Sequence, residues 1–365
     1  MRIDRRELLT GAAAAAAAAA LPTTVSAAGA FAPSPGAWRT FEVVTRIEIA
    51  GPGAQAWVPL PAVNEADWFR SVASTWTTNA ARAERMRDQD SGAEMLHLVW
   101  AASEASPLAE VKSRIATRDR AIDLEAPGHA APLSAAERAA NLAPTALIPI
   151  DGIVKETSDR ITAGAESDVT KARAIYQWIV ENTFRDAKVR GCGIGDIAAM
   201  LATGNLGGKC ADLNALLVGL LRAAGVPARD VYGLRVAPSR FGYKSLGAAS
   251  EIVTKAQHCR AEVHLAGFGW VPIDPADVRK VILEEPPGQL AIDDRKVVAA
   301  RDVLFGAWEG NWVAYNFGHD VALPGSSGAK LPFLMYPQAE TASVRLDCLD
   351  PDSFKYTIRA SEIAL

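Results

Sequence analysis

The stretch that most constrains this chain is a leucine run held between two glycines and a glycine–proline stop. Leu213, Leu216, Leu217, Leu220, Leu221 and Ala224 fall at i, i+3, i+4, i+7, i+8 and i+11, one continuous apolar stripe. Gly225 supplies a C-terminal cap and Pro227 prevents continuation. The pattern predicts a buried helix that starts just after Gly207-Gly208-Lys209. Cys210 is then the first helical residue, where unpaired N–H groups and the macrodipole favour an anion. A thiol in that position is shifted toward thiolate, and Lys209 adds a neighbouring positive charge. Taken alone, the position suits a nucleophile, a buried structural thiol, half of a disulfide or a metal ligand.

Downstream, Val231 to Val236, His258 to Leu265 and Trp270 to Ile273 read as strands, with a turn at Ala266-Gly267-Phe268-Gly269. A helix followed by an antiparallel sheet predicts an α+β fold. Side chains alternate along a strand, so His258, Arg260, Glu262 and His264 share one face. Cys259, Ala261, Val263 and Leu265 share the other, which is apolar and predicted to face a core. Arg260 and Glu262 read as a surface pair with little consequence for stability. If residue 260 lies opposite residue 274, His258 and Asp274 are diagonal neighbours on one face. A slip of one residue would put them on opposite faces. In the first case Cys210, His258 and Asp274 form a nucleophile, a base and a residue that orients the base.

These residues carry a resemblance. Gly208-Lys209-Cys210-Ala211-Asp212, the leucine helix and "RAAGVPAR" (Arg222 to Arg229) resemble the nucleophile segment of transglutaminase-like domains. "HCRAEVHLAGFGWVPIDP" (His258 to Pro275) resembles their histidine and aspartate strands, commonly H-x-W-x-E followed by G-W-x-x-x-D-P. The resemblance spans roughly residues 167 to 280. It implies a papain-like core, a helix bearing the cysteine packed on an antiparallel sheet, with Cys210, His258 and Asp274 as the catalytic residues. It also implies a β-domain ahead of the core. Arg260 departs from the pattern, because family members often carry Trp there. Substrate preference therefore does not transfer. The family includes cross-linkers, peptidases, amidases and members that have lost catalysis.

The rest of the chain fits that organisation. In Phe41 to Ile49 the odd positions are apolar or Thr and the even ones mostly charged, the period of a half-buried strand. Trp57 to Pro61 reads as an edge strand, since proline cannot donate to a central ladder. With alternation at Leu96 to Trp100 and Val111 to Thr117, these runs predict a small β-sandwich over residues 38–120. The catalytic core is expected over 130–280. A C-terminal extension, 281–365, is expected to pack strands on that core. Residues 1–27 read as an export signal of the twin-arginine type: Arg5-Arg6, a run of alanines, then Val25-Ser26-Ala27. That predicts a periplasmic or extracellular protein.

Net charge is -4, without a basic run, so nucleic acid is not an expected partner. No later stretch is long and apolar enough to span a membrane. The four cysteines, Cys192, Cys210, Cys259 and Cys348, contain no C-x-x-C pair, and the scattered His97, His129 and His264 make no metal site. No metal or cofactor is expected. Asn205 and Lys209 are candidates to stabilise an oxyanion, and Trp178 and His319 to contact substrate. The expected function is acyl transfer at an amide bond through an acyl-cysteine, on a peptide, protein or cell-wall peptide. The alternative is a non-catalytic binding or scaffold protein that keeps the fold.

Overall fold

The computed structural model describes residues 31–364 apart from Pro52, Ala342 and Ser343. The expected export signal lies outside the described residues. None of the described helices is long and apolar enough to cross a membrane.

The leucine helix spans Cys210–Ala223, and all 14 of its residues are buried. Its five leucines are at most 1% exposed. Burying each stabilises the fold by about 2 kcal/mol. The helix is covered on more than its striped face, because it packs on helices Gly152–Ile161 and Asp168–Asn182 as well as on a sheet. That sheet runs Gly269–Ile273, Gln257–Leu265, Ala228–Arg235 and Trp312–Asn316, all antiparallel. Ala261, Val263 and Leu265 pack toward the helices, the face that alternation predicts.

The N-terminal strands, joined by strands from the C-terminal stretch, form a sandwich of two five-stranded antiparallel sheets. In the strand Arg39–Glu48, Phe41, Val43 and Ile47 are buried on one face. Phe41 and Val43 pack with Leu234, Trp312 and Val313 of the core sheet, while Ile47 packs inside the sandwich with Ala56, Leu96 and Val111. One apolar face therefore serves two cores and binds the sandwich to the core sheet.

Two expectations are corrected. The strand Ala54–Pro59 is not at an edge: it lies between Gln338–Thr341 and Glu94–Val99. The first neighbour pairs only with residues 54–57, so Pro59 sits beyond the ladder that would need its N–H. The C-terminal stretch 281–365 is also not a single extension on the core. Trp312–Asn316 adds the fourth strand of the core sheet. Gln338–Thr341 and Lys355–Ile363 instead join one sandwich sheet each, the latter alongside Thr40–Glu48. The stretch after Asp274, read from sequence only as the end of a strand, is a helix, Pro275–Glu284.

Candidate active site

The start of the cysteine helix is fixed by Asp212, its third residue. One carboxylate oxygen, Oδ2, accepts the Lys209 N–H at 2.9 Å. The other, Oδ1, accepts the N–H groups of Ile194 and Gly195, each at 3.0 Å. This ties the helix terminus to the glycine-rich loop before it, and the Ala211 N–H donates to the Cys192 carbonyl at 2.9 Å. Neither Gly193 in the loop nor Gly208 at the helix start has room for a side chain. A Cβ on Gly193, whose φ is +89°, would lie 1.8 Å from Asp212 Oδ2, and one on Gly208 would lie 2.5 Å from Asp212 Cβ. The Cys210 N–H, first of the helix, makes no backbone hydrogen bond among the described residues.

His258 and Asp274 meet because of strand register. Ala261 pairs with Ile273 and Leu265 with Gly269, so the next pair in the ladder would set Arg260 opposite Asp274. His258 Nε2 lies 2.8 Å from Asp274 Oδ2. Asp274 is also the N-cap of the helix Pro275–Glu284, where its Oδ1 accepts the Asp277 N–H at 3.0 Å. Asn214, on the cysteine helix, donates to the same oxygen at 3.2 Å and to the Cys259 carbonyl at 2.9 Å. The helix, the histidine strand and the aspartate are thus locked together. Trp312 Nε1–H donates to the His258 carbonyl at 2.9 Å.

With Nε2 turned to Asp274, Nδ1 is the ring nitrogen left to face the thiol, and His258 and Cys210 line the same cleft. The neighbouring Cys192 and Cys259 thiols, then His258 and its charge, hold the Cys210 thiol well below its ordinary range despite burial. Burial and Arg235 push His258 down, but Asp277 and Asp274 outweigh them and hold the imidazole at about 9. The arrangement favours a thiolate beside an imidazolium. All four cysteines are free thiols.

His258, Asp274 and Asp277 lie close enough together to suggest a metal site. Their hydrogen bonds fit it poorly. Asp274 already accepts from His258, Asp277 and Asn214, and Asp277 Oδ1 accepts from the Arg235 guanidinium. The cationic partners here are side chains.

Cys210 and His258 both line a cleft of about 540 Å³. Of the four further candidates, only Lys209 lines it. Asn205 is exposed and its side-chain oxygen accepts the Gly207 N–H at 3.2 Å, so it shapes the turn. Trp178 packs against the helical core. His319 lies elsewhere, with Nδ1 3.2 Å from the Tyr232 hydroxyl and Nε2 3.2 Å from Asp230 Oδ2. The expected surface pair of Arg260 and Glu262 is also corrected. Both are buried, because the sandwich covers the strand face that reads as polar. Arg260 lies over Trp308 and Trp312, and Glu262 pairs with Arg120 and Arg229.

Sequence reasoning missed Asp212, Asn214, Arg235 and Asp277. Asp212 had a local signal, a carboxylate three residues after the residue that precedes the helix. Asp277 holds the equivalent position after Asp274-Pro275. Asn214 and Arg235 had none, since each depends on a partner distant in sequence.

Comparison with known proteins agrees with this geometry. The model of the transglutaminase-like superfamily matches residues 155–275. An uncharacterized protein of Haemophilus influenzae is 37% identical over 315 residues, 82% of this chain and 84% of that protein. The crystal structure of a proposed cysteine protease from Cytophaga hutchinsonii shares the fold, with a TM-score of 0.50 over 89% of this chain and 99% of that one, at 14% identity. Because the matched segment contains the cysteine helix and the strands that present His258 and Asp274, this chain belongs to the transglutaminase-like superfamily.

Proposed function

We propose that the protein is an exported thiol enzyme that attacks amide bonds of peptides or proteins through an acyl-cysteine. The observation that carries this reading is the contiguity of Cys210, His258 and Asp274 with the first two in the wall of one cleft. The Cys210 thiolate adds to the amide carbonyl carbon. The carbonyl oxygen takes up the negative charge beside the Cys210 N–H at the helix terminus. The C–N bond breaks as His258 gives its proton to the departing nitrogen, leaving a thioester on Sγ. Water then adds to the thioester, His258 takes its proton, and the acid leaves as the thiolate re-forms. Asp274 keeps the imidazole oriented and stabilises its charged form throughout. An amine in place of water would give transfer, so one site supports both outcomes. Hydrolysis is the reading we favour.

The test is turnover of a peptide library with and without an added amine, with acyl-enzyme trapped by acid quench and mass spectrometry. Expected are cleaved peptides and an acyl adduct on Cys210, both absent in Cys210→Ala. Failure to detect either, together with Cys210 alkylation no faster than that of an ordinary thiol, would favour a binding or scaffold role. The export part is tested by fractionating cells that express the full chain. A cytoplasmic, unprocessed product would refute it.

A further inference from the structure

We propose that the cleft selects substrates carrying a carboxylate next to the amide that Cys210 attacks. This rests on the proposed function and adds a substrate class to it. Six cationic side chains line the cleft: Arg185, Arg190, Lys209, Arg235, Lys255 and Lys280. No Asp or Glu is among its described lining residues. The chain as a whole carries a net charge of -4, so the basic cleft does not simply reflect a basic protein.

Three carboxylates pair with these cations, and each is shared or committed. Glu284 serves Arg185 and, at 3.8 Å, Lys280. Asp347 serves Arg190. Asp277 serves Arg235 and also faces His258 Nε2 at 3.4 Å. Lys209 and Lys255 have no ion-pair partner among the described residues. One immediately precedes the cysteine and the other lies three residues before the histidine. Burial, and after it the nearby Arg235 charge, pushes the Lys280 ammonium down to about 8. In a concave site such excess charge focuses a field that attracts anions and repels cations. A carboxylate on the substrate would supply the missing counter-charge. It has two sources in a peptide, an Asp or Glu side chain or a free C-terminus.

The test begins with a probe that needs no turnover. Cys210 is alkylated in separate experiments with iodoacetate, an anion, and with neutral iodoacetamide, and the Cys210 peptide is quantified by mass spectrometry. We expect the iodoacetate-to-iodoacetamide rate ratio to exceed that of the urea-unfolded chain by about tenfold or more. It should fall as salt is added. It should also fall toward the unfolded value in Lys255→Gln, and further when Lys209→Gln is combined with it. A folded ratio equal to the unfolded one overturns the inference. The second arm uses quenched peptide pairs with Glu or Gln beside the scissile amide, each with a free or amidated C-terminus. The acidic member should have a kcat/KM about tenfold higher or more. Dependence on Glu identifies a side-chain carboxylate, and dependence on the free terminus identifies the α-carboxylate. Equal cleavage of neutral or basic peptides overturns the inference and leaves the proposed function intact. Absence of any Cys210-dependent cleavage overturns the function, while the alkylation ratio still decides the cleft's charge preference.

Discussion

The Asp212 carboxylate occupies the space that a side chain on Gly193 would need. A Cβ there would lie 1.8 Å from Oδ2. The same carboxylate holds the N–H groups of Lys209, Ile194 and Gly195. Gly193→Ala should therefore lower stability by about 1–3 kcal/mol through overpacking, with added strain from a positive φ. Asp212→Ala leaves three N–H groups without their acceptor and should cost a similar amount, about 1–3 kcal/mol. Both should slow alkylation of Cys210, because the helix terminus moves. Urea unfolding followed by fluorescence measures the first effect. An unchanged midpoint in Gly193→Ala would contradict the packing argument.

Protonation in the site has a defined sign. The Cys210 thiol is held low, first by the neighbouring Cys192 thiol, and His258 is held up at about 9. Between those values the thiolate faces an imidazolium. Iodoacetamide labelling of Cys210 should therefore be nearly flat across neutral pH, where an ordinary thiol still gains rate with each unit. Turnover should fall as pH rises through about 9, when the proton needed by the departing amine is lost from the pair. His258→Ala should raise the thiol part of the way toward its ordinary range, since Cys192 and Cys259 also hold it low, and should slow labelling at pH 6. A profile identical to wild type in that variant would remove His258 from the site.

Asp274 has two duties that one substitution separates. Its Oδ1 caps the helix Pro275–Glu284, and its Oδ2 bonds His258. Asparagine still caps a helix but carries no charge. Asp274→Asn should fold with a near-normal urea midpoint. Its turnover should drop by about 10²–10⁴, as the imidazole loses orientation and counter-charge. His258 should titrate lower than about 9, readable from the alkaline limb of the activity profile. Loss of folding instead of loss of turnover would mean that Asp274 serves the helix alone.

Much of this was legible from local sequence. The leucine stripe fixes the helix and hence the position of Cys210. Alternation from His258 to Leu265 gives the apolar face, and the turn before Trp270 sets the register that brings His258 to Asp274. What stayed illegible depends on long-range pairing. Nothing near Thr40 announces Ile363 as its partner, so the C-terminal strands could not be assigned to the sandwich. The same holds for polar residues. Arg260 and Glu262 read as surface because alternation distinguishes two faces of a strand, not what covers each. Asn214 sits within a helix that is apolar on most sides, and only the fold shows it reaching Asp274.

Glu262 is the buried charge whose removal should matter most for the join between sandwich and core. It is fully buried on the histidine strand, paired with Arg120 from the end of the sandwich region and with Arg229 from the neighbouring strand. Arg229 also lies over the rings of Trp270 and Phe317. Glu262→Gln would leave two guanidiniums without their shared carboxylate, at a cost of about 3–5 kcal/mol. Burial alone would raise the Glu262 carboxyl, but Arg229 and Arg120 outweigh it and hold it below its usual value of 4.5. A carboxyl lowered on folding contributes stability that is present above its unfolded value and is lost as pH falls through the folded one. Wild type should therefore lose stability below about pH 4.5 more steeply than Glu262→Gln, which has no such group to protonate. The exposed pair Lys155–Asp159 is the control, and Asp159→Asn should leave the midpoint unchanged within error. Urea midpoints of the three proteins between pH 3 and pH 7 measure the difference. Parallel acid limbs in wild type and Glu262→Gln would show that this cluster does not couple the two regions through its charge.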